Sequence, residues 1–135
     1  MKALETALYT KLSGDTTLMT SIPGGVHNTV ADAPSGAYLV FQKVVTTPVG
    51  YTYRSLEGES YLYQFRIIAK GHSKAGILDA LAQVRALLNL TTLTVTGRTF
   101  WRTTWESDMP DMVELDSDSV PLLQVGATYR IEMGA

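Results

Sequence analysis

Residues 59–70 read Glu-Ser-Tyr-Leu-Tyr-Gln-Phe-Arg-Ile-Ile-Ala-Lys, a two-residue alternation that decides the fold class. Tyr61, Tyr63, Phe65, Ile67 and Ala69 fall on one face of an extended segment, and Leu62, Gln64, Arg66, Ile68 and Lys70 on the other. One aromatic face and one mixed face describe a strand in a sheet that packs on one side and stays half wet on the other. Gly71-His72-Ser73 follows, and the period then changes to helical: Ile77, Leu81, Val84 and Leu88 form a stripe bordered by Leu78, Ala82 and Arg85, with Ser73 as N-cap. A stripe of that width covers one packed surface, so this helix is expected to lie across the sheet.

Toward the N-terminus, Ala37 to Val45 is rich in β-branched and aromatic residues and closes before Pro48, which predicts a strand, apolar on both faces at its start and so central or doubly covered. Residues 2–12 place Ala3, Leu4, Ala7, Leu8 and Leu12 on one helical stripe that Ser13-Gly14 ends, with Gly14 in the left-handed conformation. Asp15 is a natural N-cap for a second turn over 16–21, Pro23-Gly24-Gly25 breaks the chain, 26–30 suits a short edge strand, and 33–36 a turn. Residues 46–58 predict a long connection tipped by Tyr51, Tyr53 and Arg54.

Toward the C-terminus, residues 93–96 and 99–106 predict a hairpin around Gly97-Arg98, with Trp101 and Trp105 on one face and Phe100, Arg102 and Thr104 on the other. An acidic loop over 106–118 and a long alternating strand over 122–133 complete the chain. The expected fold is α+β: a mostly antiparallel sheet of four to five strands with two main helices on one face, in a single domain spanning 1–135.

Of the 135 residues 45% are apolar and 18% charged, and none is cysteine, which excludes thiol nucleophiles, Cys-ligated metals and a disulfide framework. Eleven Lys and Arg against thirteen Asp and Glu give a formal charge of −2, a poor balance for binding phosphate backbones or anionic lipid. Nothing approaches the ~20 apolar residues of a spanning helix or a signal sequence, so a soluble chain that stays in the compartment where it is made is expected.

Catalytic machinery is equally sparse. His27 and His72 have no second His or carboxylate at metal-pair spacing, and nucleophile-elbow, phosphate-loop and dinucleotide motifs are absent. No catalytic, cofactor-binding or metal-binding residue is therefore expected, and no enzyme. Asp116-Ser117-Asp118-Ser119 opens like a calcium loop, but Pro121 and Ala127 stand where that loop needs Gly and Glu. A calcium site of another kind from Asp108, Asp111 and Asp116 stays open as an alternative. Trp101 and Trp105 beside Arg98 and Arg102 could form a stacking platform for nucleic acid, but six acids stand next to it: Glu106, Asp108, Asp111, Glu114, Asp116 and Asp118. Tyr51, Tyr53 and Arg54 are of the types that dominate interface hot spots, which points to a partner-binding arm.

The opening MKALETALYTKLSGDTTLMTSIPGGVHNTVADAPSGAYLVFQKV resembles the start of tail terminator, or tail completion, proteins of phages with long non-contractile tails. The strand running into Gly71-His72-Ser73, Glu106-Ser107-Asp108, Asp116-Ser117-Asp118 and Tyr129-Arg130-Ile131 extend the likeness along nearly the whole chain. The resemblance implies a virion structural protein, made in the bacterial host cytoplasm. It would close as a ring, usually a hexamer, on the head-proximal end of the tail tube. There it would stop tube growth and meet the head-side connector or stopper. Its partners would be copies of itself, the major tail tube protein and that connector, with no membrane, and DNA would pass through without being bound specifically. Tyr51, Tyr53 and Arg54 would then touch a neighbouring subunit or the tube, and the six acids would line or rim the channel. Two alternatives are another neck component, stopper or adaptor, and a metal- or ligand-binding domain that uses the acidic loop.

Overall fold

The computed structural model of the chain describes residues 2–30, 36–51, 56–70, 75–115 and 120–134, with the backbone alone at 49–51 and 56–57. Its elements in chain order are α1 (Lys2–Ser13), α2 (Thr16–Ser21), β1 (Val26–Asn28), β2 (Tyr38–Tyr51), β3 (Leu56–Lys70), α3 (Ala75–Leu88), β4 (Thr99–Leu115) and β5 (Pro121–Gly134). The strands form one sheet in the order β1-β2-β3-β5-β4. β1 runs parallel to β2 and the remaining pairs are antiparallel, so the α+β fold is as expected but its sheet is mixed.

The alternation in β3 and β5 sets the core. Tyr61, Tyr63, Phe65 and Ile67 are buried on the same face as Val125, Ala127, Tyr129, Ile131 and Met133, and Leu39 and Phe41 of β2 extend that surface. Phe65 stacks on Phe41 with ring centres 5.7 Å apart and meets Tyr129 edge-on at 5.4 Å, two arrangements the aromatic quadrupole favours. Leu4, Leu8 and Leu12 of α1, Leu18 of α2, and Ile77, Ala80, Val84 and Leu88 of α3 close this face. Each Leu, Ile or Val side chain among them contributes about 1.5–3 kcal/mol on leaving water. Asp15 caps α2 as expected: its Oδ2 accepts from the Leu18 N–H at 2.9 Å and from the Gln83 amide at 3.0 Å, which also ties α2 to α3.

Several expectations are corrected. Gly14 is not among the glycines with positive φ; a side chain there would instead strike the Thr10 carbonyl, 2.9 Å from the Cβ position. In α3, Ala80 is buried and Leu78 is exposed, so the stripe is narrower and rotated. β2 is covered on one face only, with Val40 half-buried on the other. Residues 46–58 are not a long connection: β2 and β3 continue as a hairpin to the Tyr51 and Leu56 pair. Pro48 is tolerated because β1 pairs only with Leu39, Val40 and Phe41, leaving β2 an edge at that point. The hairpin of 93–96 with 99–106 does not form; a turn with Gly97 at φ 78 is present, but 91–95 lies outside the sheet. The acidic stretch is no loop either, because β4 carries it to Leu115 in register with β5.

Candidate functional site

The helices occupy one side of the sheet and leave the other open. On the open side lie Val40, Gln42, Leu62, Gln64, Arg66 and Ile68, all half-buried, and all of them but Leu62 line a shallow hollow of about 330 Å³. Ion pairs lie elsewhere on this side: the Arg130 Nε donates to Glu106 at 2.6 Å, the Arg102 guanidinium to Glu132 at 3.0 Å, and Arg130 also reaches the buried Ser60 hydroxyl at 2.8 Å. Partly exposed pairs of this kind are worth little individually and are screened by salt.

Three register shifts in β4, at Phe100/Arg102, Trp105/Ser107 and Met109/Met112, decide where its side chains go. The first inserts Trp101 as an extra residue, so the two tryptophans do not share a face as expected. Trp101 lies over the facing glycines Gly58 and Gly134 on the open side, where a Cβ on Gly58 would stand 2.5 Å from the indole. Trp105 pairs with Tyr129 on the helix side, carries the Arg85 guanidinium 4.0 Å from its ring centre, and donates from Nε1 to Asp108 at 3.1 Å. A two-tryptophan stacking platform is therefore not built.

Of the six acids, Glu106, Asp108, Asp111 and Glu114 lie on β4, an edge strand, while Asp116 and Asp118 fall outside the described residues. Arg130 offsets the charge of Glu106, so the local negative potential is weaker than the sequence count suggests, while Asp108 accepts from the neutral Trp105 indole. Tyr51 ends β2 opposite Leu56, beyond the last pairing of β3 with β5 at Gly58 and Gly134. Tyr53 and Arg54 lie outside the described residues. The arm is thus a hairpin that outruns its neighbouring strand, a form the turn-rich composition of 46–58 hid.

Candidates for chemistry do not assemble. The His27 Nε2 sits 2.9 Å from the Gly24 carbonyl and its ring meets Tyr38 edge-on at 6.0 Å, a structural turn position; His72 lies outside the described residues. Among the described residues no three His, Asp or Glu side chains gather to hold a metal ion. The Tyr63 and Tyr129 hydroxyls are buried without a hydrogen-bond partner among those residues. Burial raises both, Tyr129 to about 12. Phenols kept neutral over that range serve packing rather than proton transfer near neutral pH. Among the described residues no helix is long and apolar enough to cross a membrane.

Among the described residues, then, no catalytic or metal site is assembled, and the sheet has one closed and one open face. Comparison with known proteins supplies the setting. The family model "Tail completion protein gp17" matches residues 6–111, and the chain belongs to this family of bacteriophage virion structural proteins. Solved structures also share the fold, among them the following two. A chain of the virion of the native gene transfer agent particle matches with a TM-score of 0.68 at 16% identity, covering 97% of this chain and 96% of that one. The gp17 protein of bacteriophage SPP1 matches with a TM-score of 0.51 at 22% identity, covering 94% and 88%. No curated protein matches by sequence.

Proposed function

We propose that this chain is a tail terminator: copies of it close as a ring, expected to be hexameric, on the head-proximal end of the tail tube, stop further addition of tube protein, and offer the surface on which the head-side connector docks. The observation that carries the reading is the family match over residues 6–111. The open sheet face and the hairpin that outruns β5 support it, since an assembly protein needs surface left over after its own core is closed. In this reading Tyr51, Tyr53 and Arg54 contact a neighbouring subunit or the tube, and the acids Glu106, Asp108, Asp111, Glu114, Asp116 and Asp118 rim the channel so that passing DNA does not adhere.

Phage lacking this chain are expected to make tails of uneven length that fail to join heads, with joining restored by adding the purified protein. Tails of normal length joined to heads in its absence would overturn the reading. Tails of normal length that fail to join would assign the chain to the head side, as a stopper or adaptor. Replacing Tyr51, Tyr53 and Arg54 together by Ala is expected to abolish joining while leaving the melting temperature unchanged; unaltered infectivity removes the arm from the interface. An assembled ring with the acids facing outward ends the channel-rim role.

A further inference from the structure

Residues 92–96, Thr-Thr-Leu-Thr-Val-Thr from 91 onward, carry a strong strand signature that the sheet does not use. Burial alternates along them as in a strand: Leu93 and Val95 are 3% and 5% exposed against the core, while Thr92, Thr94 and Thr96 are exposed. Yet among the described residues no N–H from 92 to 96 meets a backbone carbonyl. The Thr92 carbonyl accepts the Lys11 ammonium at 2.9 Å, so that edge of the segment faces α1. Residues two apart in an extended chain point their backbone groups the same way, so Thr94 presents its own to the same side before the chain turns at 96–97. Between this edge and α1 runs a groove of about 740 Å³ whose lining includes Lys2 and Lys11 and no carboxylate. Burial lowers the affinity of Lys11 for its proton, an effect a carboxylate brought alongside would offset.

The same chain has a second unused edge. β4 has β5 as its one ladder neighbour among the described residues, and its end exposes Met112, Val113 and Leu115 at 42%, 63% and 67% around the acid Glu114. Exposed apolar residues on a long unpaired edge are a pairing hazard unless something covers them.

We propose that the two edges pair between copies: residues 112–115 of one subunit enter the groove of the next as an added strand beside 92–96, with Glu114 meeting Lys2 or Lys11. The inference rests on the ring reading and names its contact. An added strand gains affinity from main-chain hydrogen bonds and specificity from alternate side chains. Five extended residues span roughly 17 Å, close to the ~18 Å of a twelve-residue helix such as α1. Because the two surfaces differ, the contact is head-to-tail, the kind that closes into a ring when the rotation allows. Glu114 thereby moves from the channel rim into the contact, and the acids on either side of it keep the rim.

The chain has no cysteine, so engineered ones report cleanly. A Thr94→Cys protein mixed with a Val113→Cys protein and oxidised on tail tubes is expected to give mixed disulfide dimers, and a Thr94→Cys with Val45→Cys mixture none. Thr94→Pro, which removes a groove-facing N–H, should cut the fraction of chain found in rings by about tenfold or more, while Thr94→Val, which keeps it, should not. Lys2→Glu should weaken assembly and Glu114→Lys in the same chain restore it. A thermal melt matching wild type excludes misfolding of the proline variant, and the cross-link stands without it. Rings that form normally with Thr94→Pro and give no Thr94 to Val113 cross-link overturn this contact and leave the ring reading intact. Cross-linking to Val45 instead overturns the choice of strand. Wild-type protein that never closes on tubes overturns the ring reading and this contact with it.

Discussion

On the helix side of the sheet, Phe41, Tyr63, Phe65 and Tyr129 are closed to water and interlocked ring against ring. One residue along the same strands, on the open side, Gln42, Gln64, Arg66 and Thr128 are half-buried, and Arg130 and Arg102 pair with acids. The two faces share a backbone and a register, so the difference between them is entirely one of side chains. It teaches that the fold is specified by one half of each strand's residues. The other half is not spent on closing the core.

The contrast is sharpest if the closed face is damaged. Phe65→Ala removes a fully buried ring from the centre of the aromatic cluster and is expected to cost about 3–5 kcal/mol in urea unfolding. A value near that of a surface substitution would show that the core sits elsewhere. Gly126→Val is next: a Cβ there would lie 2.6 Å from the Phe65 carbonyl and 3.1 Å from the Met109 sulfur, an overpacking penalty of about 1–3 kcal/mol. Full stability in that variant would mean that β3, β5 and β4 can part without cost.

Gly126 faces the open side, and elsewhere on that face, away from such a close backbone approach, the expectation is small. Arg130→Ala loses its pair with Glu106 and its bond to Ser60, and about 1 kcal/mol or less of stability, a difference that should shrink further in 1 M salt. A larger, salt-independent loss would make this face part of the core. Smallest at neutral pH is Tyr129→Phe, which removes a buried hydroxyl with no partner among the described residues and should be close to neutral. Its signature lies in alkali. Below pH 10 the phenol is protonated in folded and unfolded chains alike. Between 10 and about 12 the unfolded chain gives up the proton first, so wild-type stability falls as pH rises. Tyr63, also raised by burial, adds to the slope. Urea midpoints at pH 9 and 11 should therefore converge in Tyr129→Phe relative to wild type; an unchanged slope would mean that Tyr129 is wet.

The closed face was legible in the sequence because periodicity reports burial directly. Tyr61 to Ile67 and Leu123 to Met133 alternate, and Leu4, Leu8 and Leu12 keep helical spacing, so these elements could be read residue by residue. β4 beyond Glu106 could not. Its Asp-rich, Pro-containing sequence has low strand propensity, and its extended state comes from the ladder with β5 and is broken by two of the three register shifts in β4. The shift at Phe100/Arg102 also separates Trp101 from Trp105, because one extra residue sends the next side chain to the opposite face. At 93–96 the β-rich composition predicts a strand that the sheet does not contain, since propensity carries no information on which neighbour will be available. For the candidate contacts, Tyr51 was legible as an unusual residue near a turn, while the hairpin that holds it was masked by Pro48 and Gly50.

The chain's two tryptophans occupy opposite sides of the sheet, Trp101 at 44% exposure over Gly58 and Gly134, Trp105 beneath Arg85. Each side therefore has its own native fluorophore. Anything that settles on the unoccupied surface will blue-shift the emission of the first and leave the second untouched, so a Trp105→Phe protein can follow docking in real time without a label.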